Sequence, residues 1–326
     1  MTPSLRGPAA ALLWACALLP FAAAAGTGTA CAAAATQAIG DARVRHAIDE
    51  AWRQHRLFGG QTIERNGGMF RVGYYEAEWD RPAGESTPTW ERVATFWRAL
   101  AESEPPELMT SAGLVARSEA SRPAASAGTE STRAEVAVRE ALLRAAIVDT
   151  PWSAAFISYL MKTAGFSRSE FAFSDSHADY VQAAFAASDE EAAGREPAYA
   201  FRACDIATTH PRAGDLVCAT RAGTAGIAKF ADLAAAMDAR AAGQDFPMHC
   251  ELVVRSDEGG DAKIDTMGGN VVQSVTLSRM RLNANKVLSD VYIAGSARSQ
   301  QCAQGPQPCR DHLTRRPWVV VLQFRR

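Results

Sequence analysis

The sequence predicts an α+β protein, with helices first and strands after them. Helix-spaced apolar stripes dominate through Phe185, and after Pro211-Arg212 the pattern turns to short apolar runs of strand length. Residues 41–58 carry Val44, Ile48, Ala51 and Trp52 on one side and end at Gly59-Gly60. Met69–Tyr75 reads as a short strand. Thr89–Leu100 reads as a helix whose Trp90, Val93, Ala94 and Trp97 form a core stripe rather than a ligand box. A helix from about Ala134 to Ile147 leads into a second one. There Thr150 is the expected N-cap, Pro151 the first helical residue and Gly165 the stop. Ser174-Asp175-Ser176-His177 caps a helix running through Tyr180, Val181 and Phe185. Strands are expected at 214–218, 249–254, 263–267, 271–277 and 318–324, forming an antiparallel set. Between the first two strands lies an insertion (219–247) with a helix from Ile227 to Ala241, ended by Gly243.

The apolar fraction of 48% and charged fraction of 21% are those of a globular protein. A formal net charge of −2 supplies no global field for nucleic acid or an anionic membrane. None of the seven cysteines falls in a zinc-ligand spacing, and the six histidines form no HExxH pair. No metal or cofactor is expected.

Four segments follow. Residues 1–25 read as a secretory signal, with Arg6 before an apolar run and Ala23-Ala24-Ala25 at the cleavage site. Residues 26–117 read as a mainly helical N-terminal portion. Residues 118–132, rich in Ser, Ala, Glu, Arg and Pro, read as a flexible connection, and 133–326 as the part that carries chemistry. Export to the periplasm or cell envelope permits disulfides, and Cys302 and Cys309 flank a loop that a bridge would close. Cys204, Cys218 and Cys250 then leave an odd number. One of them, or Cys31, is the candidate for a free thiol, and Cys31, preceded by Ala30, for a lipid anchor, which would be the chain's sole membrane attachment.

Four motifs follow one another in order: Pro-Trp-Ser-Ala-Ala-Phe-Ile-Ser (151–158), Pro-Arg-Ala-Gly-Asp-Leu-Val (211–217), His-Cys-Glu-Leu-Val-Val (249–254) and Gly-Gly-Asn (268–270). Together they resemble the papain-like superfamily of NlpC-type and CHAP (cysteine, histidine-dependent amidohydrolase/peptidase) domains over roughly residues 135–326. The form with serine at the nucleophile position is similar to an uncharacterised group of exported bacterial proteins. The resemblance implies a papain-like α+β fold, with helices packed on a small antiparallel sheet. It also implies cleavage of peptidoglycan peptides or amides, or of another small amide or ester. On this mapping Ser153 is the nucleophile, His249 the base and Asn270 the favoured orienter of the imidazole; Asp265, a carboxylate on the intervening strand, is the alternative candidate for that role. Trp152, His177, Gly268 and Gly269 would line the substrate.

A nucleophile in the first turn of a helix lies at the positive end of the macrodipole, beside N–H groups free to hold an oxyanion. A thiol there becomes a usable thiolate. A hydroxyl does not, so serine needs a base in tight contact and an oriented imidazole. Two readings of Ser153 follow: a serine hydrolase, or a catalytically inactive cleft that binds peptidoglycan stems or a protein partner. His177 is read as a capping or surface residue, with a place on the pocket rim as the functional alternative. Strand alternation turns Cys250 away from His249. Cys218 reads as a buried thiol or disulfide partner, and Asp215 as a loop-fixing hydrogen-bond acceptor. The 219–247 insertion reads equally as a lid or wall over the cleft or as a solvated surface excursion.

Overall fold

The computed structural model describes residues 21–101, 134, 136–138, 140, 141, 144, 145, 148, 150–294, 296 and 312–325. Residues 1–20, the 118–132 connection and the Cys302–Cys309 loop lie outside the described residues. Six labelled α-helices are α1 (Phe21–Ala35), α2 (Ala42–Leu57), α3 (Thr89–Ala101), α4 (Ser153–Thr163), α5 (His177–Ala192) and α6 (Phe230–Ala239). The strands are β1 (Thr62–Ile63), β2 (Met69–Arg71), β3 (Phe201–Asp205), β4 (Leu216–Thr220), β5 (Met248–Ser256), β6 (Lys263–Val271), β7 (Ser274–Arg281) and β8 (Trp318–Phe324). The protein is α+β.

All eight strands form one sheet in the order β2-β1-β7-β6-β5-β4-β8-β3. Its pairings are antiparallel except β1 with β7, which is parallel. Two apolar layers result from strand alternation. Leu216, Cys218, Leu252, Met267, Leu277 and Leu322 face a layer built with residues of α2 to α6. Val217, Val253, Ile264, Met280 and Val321 meet Leu282, Leu288 and Tyr292 from the β7–β8 connection.

The N-terminal portion that the sequence sets apart shares this sheet and core. Strands β1 and β2 extend the edge beyond β7. Val44, Ala51, Trp90 and Trp97 pack in the same cluster as Phe156. A polar clamp fastens α2 to α4: the buried Glu50 carboxylate accepts from Tyr159 Oη at 2.5 Å, Gln54 Nε2 at 2.7 Å and Arg53 at 2.7 Å. Burial works against ionisation of Glu50, but these donors outweigh it and hold its pKa below the ordinary value.

The cysteines resolve into Cys31–Cys204 and Cys218–Cys250. The second bridge joins residues directly opposite on β4 and β5. The first corrects the lipid alternative, because a sulfur engaged in a disulfide has no valence for a thioether. The four described cysteines are all paired, so the odd count disappears.

Gly214, just before β4, has φ of +102°, and a Cβ there would lie 2.1 Å from Val44 Cγ1. Only glycine allows α2 to sit so close to the strand. The helix of the insertion is not a loose surface excursion: Leu233 and Met237 of α6 are buried in the main core. Arg240, just after α6, grips Asp179 at 2.6 Å and Gln182 at 2.8 Å on α5.

Candidate functional site

The site gathers at one end of the sheet, where α4 and α5 begin. Ser153 is the first residue of α4 and His177 the first of α5. The helix starts two residues later than the sequence suggests. Trp152 is its N-cap and offers no side-chain bond, while Thr150 and Pro151 precede it. The first intrahelical bond runs from Phe156 N to Trp152 O at 3.0 Å. The N–H groups of Ser153, Ala154 and Ala155 therefore have no intrahelical acceptor.

Ser153 Oγ lies 2.7 Å from Nε2 of His177, not of His249. The other ring nitrogen of His177, Nδ1, meets the Tyr180 hydroxyl one turn along α5. A second tie sets the spacing between the two helices. Ser158 Oγ donates to Ser174 O at 2.8 Å and accepts from Ser174 N at 3.1 Å. Ser174 Oγ accepts from Ser176 N at 3.0 Å and donates to Asp179 at 2.6 Å. The Ser-Asp-Ser-His segment is thus a brace that delivers His177 to Ser153.

His249 stands beside this pair, its ring centroid 5.3 Å from that of His177 and edge-on to it. Its Nε2 is 3.2 Å from Glu251 Oε1. Glu251 is fully buried and also accepts from Arg316 Nη1 at 2.6 Å and Thr266 Oγ1 at 2.5 Å. The orienter of His249 is therefore Glu251, two residues along the same strand, rather than Asn270 or Asp265.

Asp265 lies toward the opposite end of β6, paired in register with Arg255 and Arg279. It lines a separate cavity of about 320 Å³ with Glu64, Arg65, Arg255, Lys263 and Arg279. The Asn270 amide points elsewhere. Its nitrogen donates to Glu76 Oε2 at 3.1 Å and its oxygen accepts from Trp152 N at 3.2 Å. Its φ of 54° is a left-handed value that asparagine tolerates better than most residues. Trp152 Nε1 donates to the same Glu76 oxygen at 2.8 Å. Asn270 and Glu76 thus hold the N-cap residue of α4, so their influence on Ser153 passes through the helix start.

Trp152 is core. It is wholly buried among Phe58, Phe96 and Phe156, with ring centroids 5.6–6.5 Å apart, and no substrate can reach it. Gly269 serves the same packing: a Cβ there would lie 2.5 Å from Phe156 Cβ and 2.8 Å from the Trp152 ring, so glycine lets α4 lie flush on β6. Gly268 is the one of the pair that borders the histidines, its missing Cβ lying 3.1 Å from His249 Nε2. Asp215 is buried and accepts from Arg212 N and Phe324 N, each at 2.8 Å, which anchors β4 to β8.

Electrostatics keep both imidazoles neutral near pH 7. Burial above all pushes His177 well below its ordinary range, with a second charge beside His249 disfavoured and the positive fields of Arg221 and Arg316 acting the same way. Burial and Arg316 push His249 down to about 4 against the pull of Glu251. Burial resists ionisation of Glu251, but Arg316 and the bonds from His249 and Thr266 hold its carboxyl at about 2. An ionised Glu251 only accepts, so the proton of neutral His249 sits on Nε2. Burial drives the Tyr180 phenol well above its usual range, so it stays protonated. A neutral His177 with its proton on Nδ1, donated to Tyr180 Oη, leaves Nε2 free to accept from Ser153.

His177 was within reach of the sequence as a helix-start residue, but its contact with Ser153 needs the brace at Ser158 and Ser174. Glu251 was available from alternation alone, sharing a face with His249. Glu76 carried no sequence signal. Among the described residues no group of three His, Cys, Asp or Glu side chains gathers to hold a metal ion, and no helix is long and apolar enough to cross a membrane.

No curated protein and no solved structure matches the chain. A family described as "uncharacterized protein conserved in bacteria" (DUF2272) matches residues 84–324. That span takes in α3, both ends of the Ser153–His177 pair, His249, Glu251 and all of the sheet except β1 and β2. The chain belongs to this bacterial family.

Proposed function

We propose that the protein is an exported papain-like hydrolase that cleaves a peptide or amide bond of the cell wall through Ser153, with His177 as the base. The observation that carries this reading is the 2.7 Å contact between Ser153 Oγ and His177 Nε2 at the uncapped start of α4. Supporting the papain-like assignment, α4, with Ser153 as its first residue, packs on antiparallel strands β5 and β6. The motifs follow in order, Gly214-Asp215 leading into β4, His249 on β5 and Gly268-Gly269-Asn270 on β6. Two disulfides fit an oxidising compartment.

Ser153 Oγ bonds to the carbonyl carbon while its proton passes to His177 Nε2. The N–H groups of the first turn of α4, which have no intrahelical acceptor, are the candidate donors for the oxyanion. The C–N bond then breaks, and the leaving nitrogen takes the proton from His177. Water, deprotonated by the same imidazole, releases the acyl group and restores Ser153. Tyr180 is a positioning residue that selects the tautomer, and Glu251 holds His249 beside the base.

A second reading, a cleft that binds without turnover, is favoured by the Tyr180 phenol. Should it donate to Nδ1, the proton moves to Nε2 and His177 becomes a donor to Ser153. Incubation with purified peptidoglycan and with amide and ester probes separates the two. The hydrolase reading predicts product from wild type and a loss of at least about a thousandfold in Ser153→Ala. Product from Ser153→Cys alone would sink it.

A further inference from the structure

Two arginines from different strand ends converge on the histidine pair. Ala219 of β4 stands in register with His249 on one side and with Trp318 on the other. Arg221 leaves β4 two residues later, its N–H donating to Pro247 O at 3.1 Å. Arg316 enters β8 two residues before Trp318, with its guanidinium 5.3 Å from that ring. Both cations therefore project from the end of the sheet that holds His249. Both charges reach His177 and His249, and each reaches the other.

Among the described residues one anion lies in direct contact with this pair of cations. Glu251 takes Arg316 at 2.6 Å. Arg221 is exposed, and among the described residues no carboxylate comes within ion-pair distance of it. Asp245 acts on it from farther away. Two guanidiniums against one contacting carboxylate leave Arg221 without an ion pair, among the described residues, at the end of the sheet that holds His249. Like charges held together in this way are unfavourable unless something anionic joins them.

From this geometry we infer that the substrate of Ser153 carries a carboxylate close to the bond attacked, and that Arg221, backed by Arg316, is the specificity-determining cation that receives it. The inference rests on the hydrolase reading for the word substrate, but the binding claim stands separately. A docked carboxylate would offset the field that Arg221 and Arg316 impose on the imidazoles. The proton affinity of His177 would rise on binding, when a base is needed.

The test uses the full chain as Ser153→Ala, so that turnover plays no part. N-acetyl-alanine and its uncharged amide are titrated while the ring resonances of His177 and His249 are followed by NMR. The acid is expected to bind at least about tenfold more tightly than the amide, as a charge-assisted bond implies. Acid binding should also raise the pH at which the two imidazoles titrate. Arg221→Gln should abolish the preference and Arg221→Lys should keep part of it. Added salt should weaken it. Equal binding of acid and amide, no binding of either, or a preference that survives in Arg221→Gln would overturn the inference. Failure of the hydrolysis assay with success here would reject the chemistry and keep the carboxylate site.

Discussion

Removing the imidazole of His177 is expected to lower turnover by about a hundredfold to ten-thousandfold, the usual range for losing a general base. The same change at His249 should cost several-fold less. His177 Nε2 is the nitrogen in contact with Ser153, whereas His249 faces Glu251. Comparing kcat/KM of His177→Ala and His249→Ala on one probe decides between them. A larger loss at His249 would return the base role to the strand histidine that the motif resemblance favours. The pH profile gives a second readout. A base must be unprotonated, so activity falls as pH drops through its pKa. Burial and the neighbouring cations hold His177 well below 6.5, so the acid limb should lie below that value and the rate should be flat across neutrality. Tyr180→Phe, which removes the Nδ1 partner, should reduce kcat more than it raises KM, because it alters the tautomer and not substrate contact.

Asp215→Ala is expected to destabilise the fold by about 3–5 kcal/mol, the cost typical of breaking a buried ion pair. The carboxylate is fully buried and pairs with Arg212 at 3.1 Å. Its loss strands the Arg212 side chain, itself only 9% exposed, and removes the acceptor of Phe324 N. Urea unfolding measures the change. A midpoint within error of wild type would show that the Gly-Asp motif is not the structural anchor described here. The effect should be on stability, since Asp215 acts through β4 and β8 and touches none of the groups around Ser153.

Much of the architecture is legible in the chain because its elements are long or strongly periodic. The stripes of α2 and α3 and the apolar runs of β4, β5 and β8 all announce themselves. Strand β3 escapes because Phe-Arg-Ala-Cys-Asp mixes polar and apolar residues, and its place is set by pairing with β8. The two residues of β1 gain strand character from their pairing with β2 and β7. At the site the ordering of motifs led to Ser153 and His249. It did not lead to the pairing of Ser153 with His177, because two helix starts 24 residues apart meet only through the Ser158–Ser174 bonds. Asn270 illustrates the same limit: it lies at the end of β6 as the motif suggests, yet its amide is spent on Trp152 and Glu76. Glu76, in the segment between β2 and α3, could be tied to α4 only by the folded chain. Cys31 shows a local signal overridden by a distant partner, since its sulfur joins Cys204 across a separation of 173 residues.

Activation of Ser153 by His177 is read out by treating the full chain with an aryl fluorophosphonate and locating the adduct by peptide mass spectrometry. A single phosphonyl adduct is expected on Ser153 in wild type, retained in His249→Ala and lost or strongly slowed in His177→Ala. No adduct on Ser153, or labelling whose rate is indifferent to His177, would contradict that activation.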